Sequence, residues 1–383
     1  MGGLRLVVLF LVMVLCSSAV AWGALSPVPE LSSIAYVIYD ADFDYVIVGK
    51  NGEQKRSIAS ITKVMTLVCT AELIKQNKLS LDDVVTASAR AASRDGTQIN
   101  LKAGDKFTLE ELLYATALVS ANDAAVAIAE YVAGSEANFT KLMNQTAEDL
   151  GLGDTNYTDC TGLLSIFSNN YSTALDQARL LKVALQYDLL RQILGTPEYL
   201  LKAQNRKIVN SHPLLDLPGV EGGKTGATTP AGHTLVTSTL RHDRRLITII
   251  LGARSREVRN GENRQLMEWA YENLRVLISS EQVITPVLIP DGVQHQVNGV
   301  LKREFSLVAA SEEDLKFDTK IELIPGLRAP VDQGNKLGEL VVLKAGKEFT
   351  RLDIVAQQGT GLATWLRRIF QRLFHFLGCP LSI

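Results

Sequence analysis

Hydrophobic and polar residues change their spacing several times along the chain, and each change marks an element. Ser33 to Val48, SIAYVIYDADFDYVIV, holds two β-rich runs around a polar turn at Asp40 to Asp44, the pattern of an antiparallel hairpin. Thr62 to Lys75 reads as a helix with Val64, Leu67, Val68 and Leu73 on one face. Thr108 to Val119 and Asp123 to Val132 predict further helices, broken at Ser120-Ala121-Asn122, and helical spacing runs on to about Leu194. Strand patterns return after Gly219, at His233 to Leu240 and Arg245 to Ala253, before a closing helix at Asn263 to Asn273. Strands thus bracket a helical middle. The expected fold class is α+β: an antiparallel sheet built from both ends of a domain over residues 24–275, with a helical lobe inserted.

The texture changes again from Ile278. Short β-like runs (VITPVLIP, FSLVAA, KIELIP, LGELVVLKAG) alternate with turns marked by Pro286, Pro290, Pro325 and Pro330. Residues 278–356 therefore read as a small, separate all-β domain, a β-sandwich. Residues 361–378, GLATWLRRIFQRLFHFLG, put Leu362, Trp365, Leu366, Ile369, Phe370, Leu373, Phe376 and Leu377 on one helical face. Arg367, Arg368, Arg372 and His375 take the other, with no acidic residue. That composition suits a helix lying in a membrane interface, against the plainer reading of a terminal helix docked on its own protein or on a second copy.

The N-terminus has one basic residue, Arg5, an apolar run from Leu6 to Leu15, and the small-residue site Ala19-Val20-Ala21. This is the layout of a secretory signal peptide over residues 1–23, with an uncleaved anchor as its rival. Bulky Leu15 disfavours a lipoprotein signal at Cys16. Cleavage leaves Cys69, Cys160 and Cys379, too few and too scattered for a disulfide framework, and they read as structural thiols. The dispersed histidines show no metal-ligand spacing, and no cofactor motif is present. With 383 residues and a net charge of −2, the chain is long enough for two domains and gives no electrostatic footprint for nucleic acid.

The candidate chemistry lies in SIASITKVMT. Ser60 and Lys63 stand three apart among Ile58, Ile61, Val64 and Met65, so on a helix they share a face. A serine hydroxyl needs a base within hydrogen-bond reach, and a lysine serves only when burial or a second cation lowers its pKa. The apolar neighbours supply burial. Two further motifs follow: Ser120 and Asn122 in LVSANDAA, and Lys224-Thr225-Gly226 in EGGKTGAT, just before a β-rich segment. Alone, the first reads as a helix cap and the second as a turn. Together and in this order they are specific.

In these motifs the chain resembles penicillin-binding proteins and serine β-lactamases. The longer stretches ASITKVMT, LKAGDKFTLEELLYATALVSANDAAVAIAEYVAGS, KTGATTPAGHTLV and LGARSRE are similar to one branch, the low-molecular-weight serine-type D-alanyl-D-alanine carboxypeptidases. RAPVDQGNKLGELVV resembles the β domain that follows the catalytic domain in that family, and a basic amphipathic tail is that family's membrane anchor. The resemblance implies a peptidoglycan stem peptide ending in D-Ala-D-Ala as substrate and β-lactams as covalent inhibitors, with no cofactor or metal. It implies Ser60 as nucleophile, Lys63 as its base and Ser120 as proton relay. Asn122 would hold the substrate amide, Lys224 and Thr225 the carboxylate, and Arg256 would stand near that pocket, although a surface salt bridge explains Arg256 equally well. The N–H groups of Ser60 and Ala227, the latter just after Gly226, would form the oxyanion hole. Localisation would be the outer face of the bacterial cytoplasmic membrane.

Two rivals share the fold. A β-lactamase fits the motif spacing, but here the second motif is S-A-N rather than S-D-N. No E-x-x-L-N segment lies between Ser120 and Lys224, and the chain runs on well past Asn273. A non-catalytic peptidoglycan-binding protein is the other, and the full set of catalytic side chains argues against it.

Overall fold

The computed structural model describes residues 24–163, 170–365 and 367. The signal-peptide expectation for residues 1–23, Cys379 and most of the expected tail helix lie outside the described residues. The chain divides into two compact units, Ser26–Glu272 and the part from Asn273 onward.

The first unit is a mixed α/β fold on a five-stranded antiparallel sheet. Its strand order is Tyr45–Lys50, Ala35–Asp40, Arg244–Ala253, Gly232–Arg241, Val220–Thr228. Ala35 faces Leu251 and Asp40 faces Leu246, so the first strand closes against the last. Leu246, Ile247, Ile249, Ile250 and Leu251 are all buried, because helices Ala174–Ala184 and Arg256–Glu272 both pack on this central strand. A strand covered on both faces reads as a continuous apolar run, as RLITIIL does. The helical lobe holds Lys63–Lys75, Leu109–Leu118, Asn122–Ala133 and Glu136–Asp149. Thr108 and Glu111 make a reciprocal capping box at the start of Leu109–Leu118, which fixes where that helix begins.

Two elements differ from the sequence reading. Lys224-Thr225-Gly226 is not a turn before a strand but lies within one, the edge strand Val220–Thr228. Its glycines hid the β pattern, and packing requires them. A Cβ at Gly223 would overlap the Val236 carbonyl, and one at Gly226 would stand 2.6 Å from Thr234 Oγ1. The closing helix starts at Arg256 rather than Asn263. Its first turns bury polar residues: Glu262 accepts from the backbone and hydroxyls of Ser32 and Ser33, and Asn263 bonds Thr248, so apolar periodicity is missing there.

The second unit is a five-stranded antiparallel sheet in the order Val283–Leu288, Gln296–Leu301, Lys347–Ala356, Lys336–Lys344, Asp318–Leu323. A separate pair joins Leu274–Ile278 to Phe305–Val308, so Leu274 and Arg275 fall in the β unit and not at the end of the first domain. Cys69 and Cys160 are buried free thiols, and burial pushes Cys69 up to about 12.

One glycine supports the turn that carries Ser60. Gly162 has φ +76°, and a Cβ there would overlap the Ala59 carbonyl and stand 2.7 Å from Thr62 Oγ1. Gly104 has φ +95° with open space around it. Gly162→Ala is expected to cost about 3 kcal/mol in a urea titration, against about 1 kcal/mol for Gly104→Ala, which carries the backbone penalty alone.

Candidate active site

Ser60 sits where a short turn meets a helix. Ala59–Thr62 form a single 3₁₀ turn, and Lys63–Lys75 continues from it. Ala59 holds φ +50°, a left-handed value an L-residue adopts only when its surroundings enforce it. They do so from both sides. Thr234 Oγ1 donates to the Ile58 carbonyl at 3.3 Å, and Gly162 lies directly against the Ala59 carbonyl.

Lys63 is completely buried, and its Nζ has three neighbours: Ser60 Oγ at 3.1 Å, Asn122 Oδ1 at 2.6 Å and the Thr161 carbonyl at 2.7 Å. Burial above all pushes the amine down to about 7, with the Arg94 guanidinium acting in the same direction and Cys160, Asp159 and Asp123 opposing it. A neutral amine has two N–H donors and one lone pair. In that form Asn122 and Thr161 can engage both donors and the lone pair can accept from the Ser60 hydroxyl, whereas the protonated amine donates to all three oxygens. The neutral form can take the Ser60 proton, which is what a general base must do.

Asn122 is fixed at both ends, since its Nδ2 donates to the Asp95 carbonyl at 2.7 Å. The side chain expected to hold substrate is therefore engaged in orienting the lysine. Ser120 has φ +61° in the break between two helices, and its Oγ is buried with no hydrogen-bond partner among the described residues. It faces the same cleft of about 310 Å³ as Ser60, Thr225, Gly226 and Ala227. Lys224 is buried, with Nζ 3.1 Å from the Thr225 carbonyl. Burial first, then the nearby charges of Lys63 and Arg259, hold its amine well below the usual lysine range. Thr225 Oγ1 lies 3.5 Å from Ser211 Oγ in the cleft.

Arg256, at the head of the closing helix, is exposed on the rim of this cleft and has no ion-pair partner among the described residues. Arg259, one turn on, is buried in the cleft wall, its Nε and Nη2 donating to Asn260 Oδ1 at 2.9 and 2.8 Å. Sequence reasoning missed Arg259; the i, i+3 spacing of Arg256 and Arg259 was the available signal. It also missed Arg94, which donates to Thr161 Oγ1 at 3.1 Å and lies 3.5 Å from both Glu136 and Asp159. Asp123 was missed too. It accepts from the N–H groups of Ile99 and Leu101 and fastens the segment that carries Thr97 to the cleft. Among the described residues no group of His, Cys, Asp and Glu side chains gathers for a metal.

A family model described as D-alanyl-D-alanine carboxypeptidase matches residues 23–255, and one described as the penicillin-binding protein 5 C-terminal domain matches residues 273–360. The chain is 32% identical over 342 residues to D-alanyl-D-alanine carboxypeptidase DacF of Bacillus subtilis, covering 87% of each. It is 28% identical over 366 residues to DacD of Escherichia coli, covering 91% of this chain and 92% of that one. Penicillin-binding protein 5 of Haemophilus influenzae superposes with a TM-score of 0.67 at 26% identity, over 88% of this chain and 100% of that one. Penicillin-binding protein D2 of Listeria monocytogenes, solved in an ampicillin-bound form, gives 0.59 at 26% identity, over 64% of this chain and 100% of that one. A mixed α/β fold followed by a β domain is thus shared with D-alanyl-D-alanine carboxypeptidases and penicillin-binding proteins. The chain belongs to the D-alanyl-D-alanine carboxypeptidase family.

The base must be neutral to act, so acylation of Ser60 is expected to rise with pH through about 7, where Lys63 loses its proton. Arg94→Met removes a charge that disfavours protonated Lys63 and that offsets the Asp159 carboxylate beside it. The acid limb should move to higher pH by about one unit. Acylation rate by a β-lactam against pH checks this; an unmoved limb would leave Arg94 a purely structural role.

Proposed function

We propose that the chain removes the terminal D-alanine from peptidoglycan stem peptides by way of an acyl-enzyme on Ser60. The observation that carries this reading is the buried Lys63 Nζ 3.1 Å from Ser60 Oγ, held there by the Asn122 Oδ1 and Thr161 carbonyl acceptors. Ser60 Oγ attacks the carbonyl joining the last two D-alanines and passes its proton to Lys63 Nζ. The N–H groups of Ser60 and Ala227 receive the oxyanion. The C–N bond then breaks, and the proton travels from Lys63 through Ser120 to the departing amine. The free hydroxyl of Ser120 suits that relay. Thr225, with Lys224 and Arg259 behind it, favours the free carboxylate of the leaving residue. Water, activated by the same lysine, hydrolyses the ester and restores Ser60. Acylation by β-lactams follows from the same attack, with the leaving group still tethered. No observation favours the β-lactamase or the non-catalytic reading.

The intact mass of the protein after incubation with a penicillin should rise by one lasting adduct, and Ser60→Ala should show none. The wild type should also release D-alanine from a peptide ending in D-Ala-D-Ala. Rapid penicillin turnover without an adduct would favour a β-lactamase, and neither adduct nor turnover would leave a binding protein.

We further propose that residues 1–23 direct export and are removed, and that the basic amphipathic segment 361–378 anchors the enzyme to the outer face of the cytoplasmic membrane. Its first residues also serve the β unit: Leu362 bridges to Gly292, and Ala363 N donates to the Asp291 carbonyl at 2.8 Å. The cut that separates anchoring from folding therefore falls after Thr364. Deleting Trp365 to Ile383 should release soluble, active enzyme; its persistence in washed membranes would count against the anchor.

A further inference from the structure

The mechanism leaves one titratable side chain of the cleft unused. His233 lies on the strand Gly232–Arg241, directly opposite Ala227, the residue whose N–H faces the oxyanion. Register partners on adjacent antiparallel strands project to the same face of the sheet, so the imidazole stands beside Ala227 in the cleft. It is half-buried, and its Nδ1 is buried with no hydrogen-bond partner among the described residues. An imidazole kept in a polar cleft with an unused ring nitrogen lacks a partner that a ligand can supply.

Its electrostatic surroundings define that partner. From the closing helix it feels Arg259, Arg256 and Glu257, in that order of strength. Its register partners Ala227 and Ala253 are uncharged, and Lys224 lies further along the neighbouring strand, buried. Burial and the two guanidinium groups hold the ring neutral at physiological pH in the empty cleft. An anion between Arg259 and His233 reverses the balance, because it offsets the guanidinium charge and favours imidazolium.

We propose that His233 is a specificity-determining residue: protonated on substrate binding, it joins Arg259 and Arg256 in holding the free carboxylate of the leaving D-alanine. The inference rests on the carboxypeptidase reading and deepens it. Peptides lacking the terminal carboxylate forgo this contact. Binding takes up a proton from solvent, so affinity for a carboxylate-ended peptide strengthens as pH falls.

The test separates binding from chemistry by using Ser60→Ala full-length protein, which removes the pH dependence of acylation. Titration calorimetry would follow a D-Ala-D-Ala-terminated peptide and its C-terminal amide from about pH 8 to about pH 5.5, in buffers of differing ionisation enthalpy. The acid should bind about fivefold tighter at the low end and take up a proton, while the amide shows neither. Adding His233→Gln should flatten the profile, and His233→Arg should bind tightly throughout. Lys63 and Lys224 are present in every variant, so their own titrations cancel in the comparison. If His233→Gln unfolds, the Arg variant and the amide still decide the matter. An unchanged profile in His233→Arg, or equal pH dependence for acid and amide, overturns the proposal. Absence of binding by either peptide at every pH overturns the carboxypeptidase reading itself.

Discussion

The catalytic unit depends on keeping one lysine uncharged away from water. An ammonium in that position would be costly to bury, so the surroundings are arranged for an amine with two donors and a lone pair. Each part of the lobe that reaches the site answers to this constraint. Asn122 is braced by the Asp95 carbonyl so that its oxygen, and not its amide nitrogen, meets Lys63. The Thr161 carbonyl is presented by a loop in which Asp159 accepts from Thr161 N, Thr161 Oγ1 and Gly162 N. Asn170 ties that loop to Thr62, one residue before the lysine. The left-handed backbone of Ala59 is held by Thr234, which donates to the Ile58 carbonyl, and by the close approach of Gly162.

The cationic side of the cleft is built differently. Lys224 and Arg259 are both buried; after burial itself, the Arg259 charge disfavours that of Lys224, and Arg256, exposed at the rim, disfavours that of Arg259. Such an arrangement is poorly satisfied when empty and improves when an anion arrives. Arg259 meanwhile rests on Asn260 Oδ1, a neutral acceptor that a carboxylate outcompetes because charge-assisted bonds are the stronger kind. The lowered Lys224 amine comes from burial first and from this crowding of positive groups second, and the same crowding favours an anion in the cleft.

Much of this was legible in the sequence, and the parts that were not share a cause. The hairpin, the helices Lys63–Lys75 and Leu109–Leu118, and the central strand announce themselves because each buries a regular apolar set. The first two motifs are readable because hydroxyl, amine and amide groups stand among apolar residues, and the third because glycines flank its lysine. The edge strand Val220–Thr228 escaped because close approach to Val236 and Thr234 demands glycine, which erases the β signature. The first turns of the closing helix escaped because their buried positions are polar and satisfied by Ser32, Ser33 and Thr248. Arg94 sits in RAASRDG, an ordinary surface-like stretch, and acquires its role only through contacts with Glu136, Asp159 and Thr161. The Thr161 acceptor is a backbone carbonyl, and no residue identity advertises that.

The pairing of Ala35 with Leu251 bears on how the enzyme comes to exist. Ends of the catalytic unit that are far apart in sequence must meet before its sheet closes, a topology of high contact order. The strand bearing Lys224 docks on the turn bearing Ser60 through that sheet. A chain still emerging, or one that has gathered only its helical lobe, can bury Lys63 beside Ser60 and Asn122 but lacks the wall that carries Thr225 and Ala227. Reactivity toward acyl donors is therefore a property of the finished domain. The nucleophile and the groups proposed to stabilise its reaction are encoded at opposite ends of the domain, and the site is complete only once the sheet has joined them.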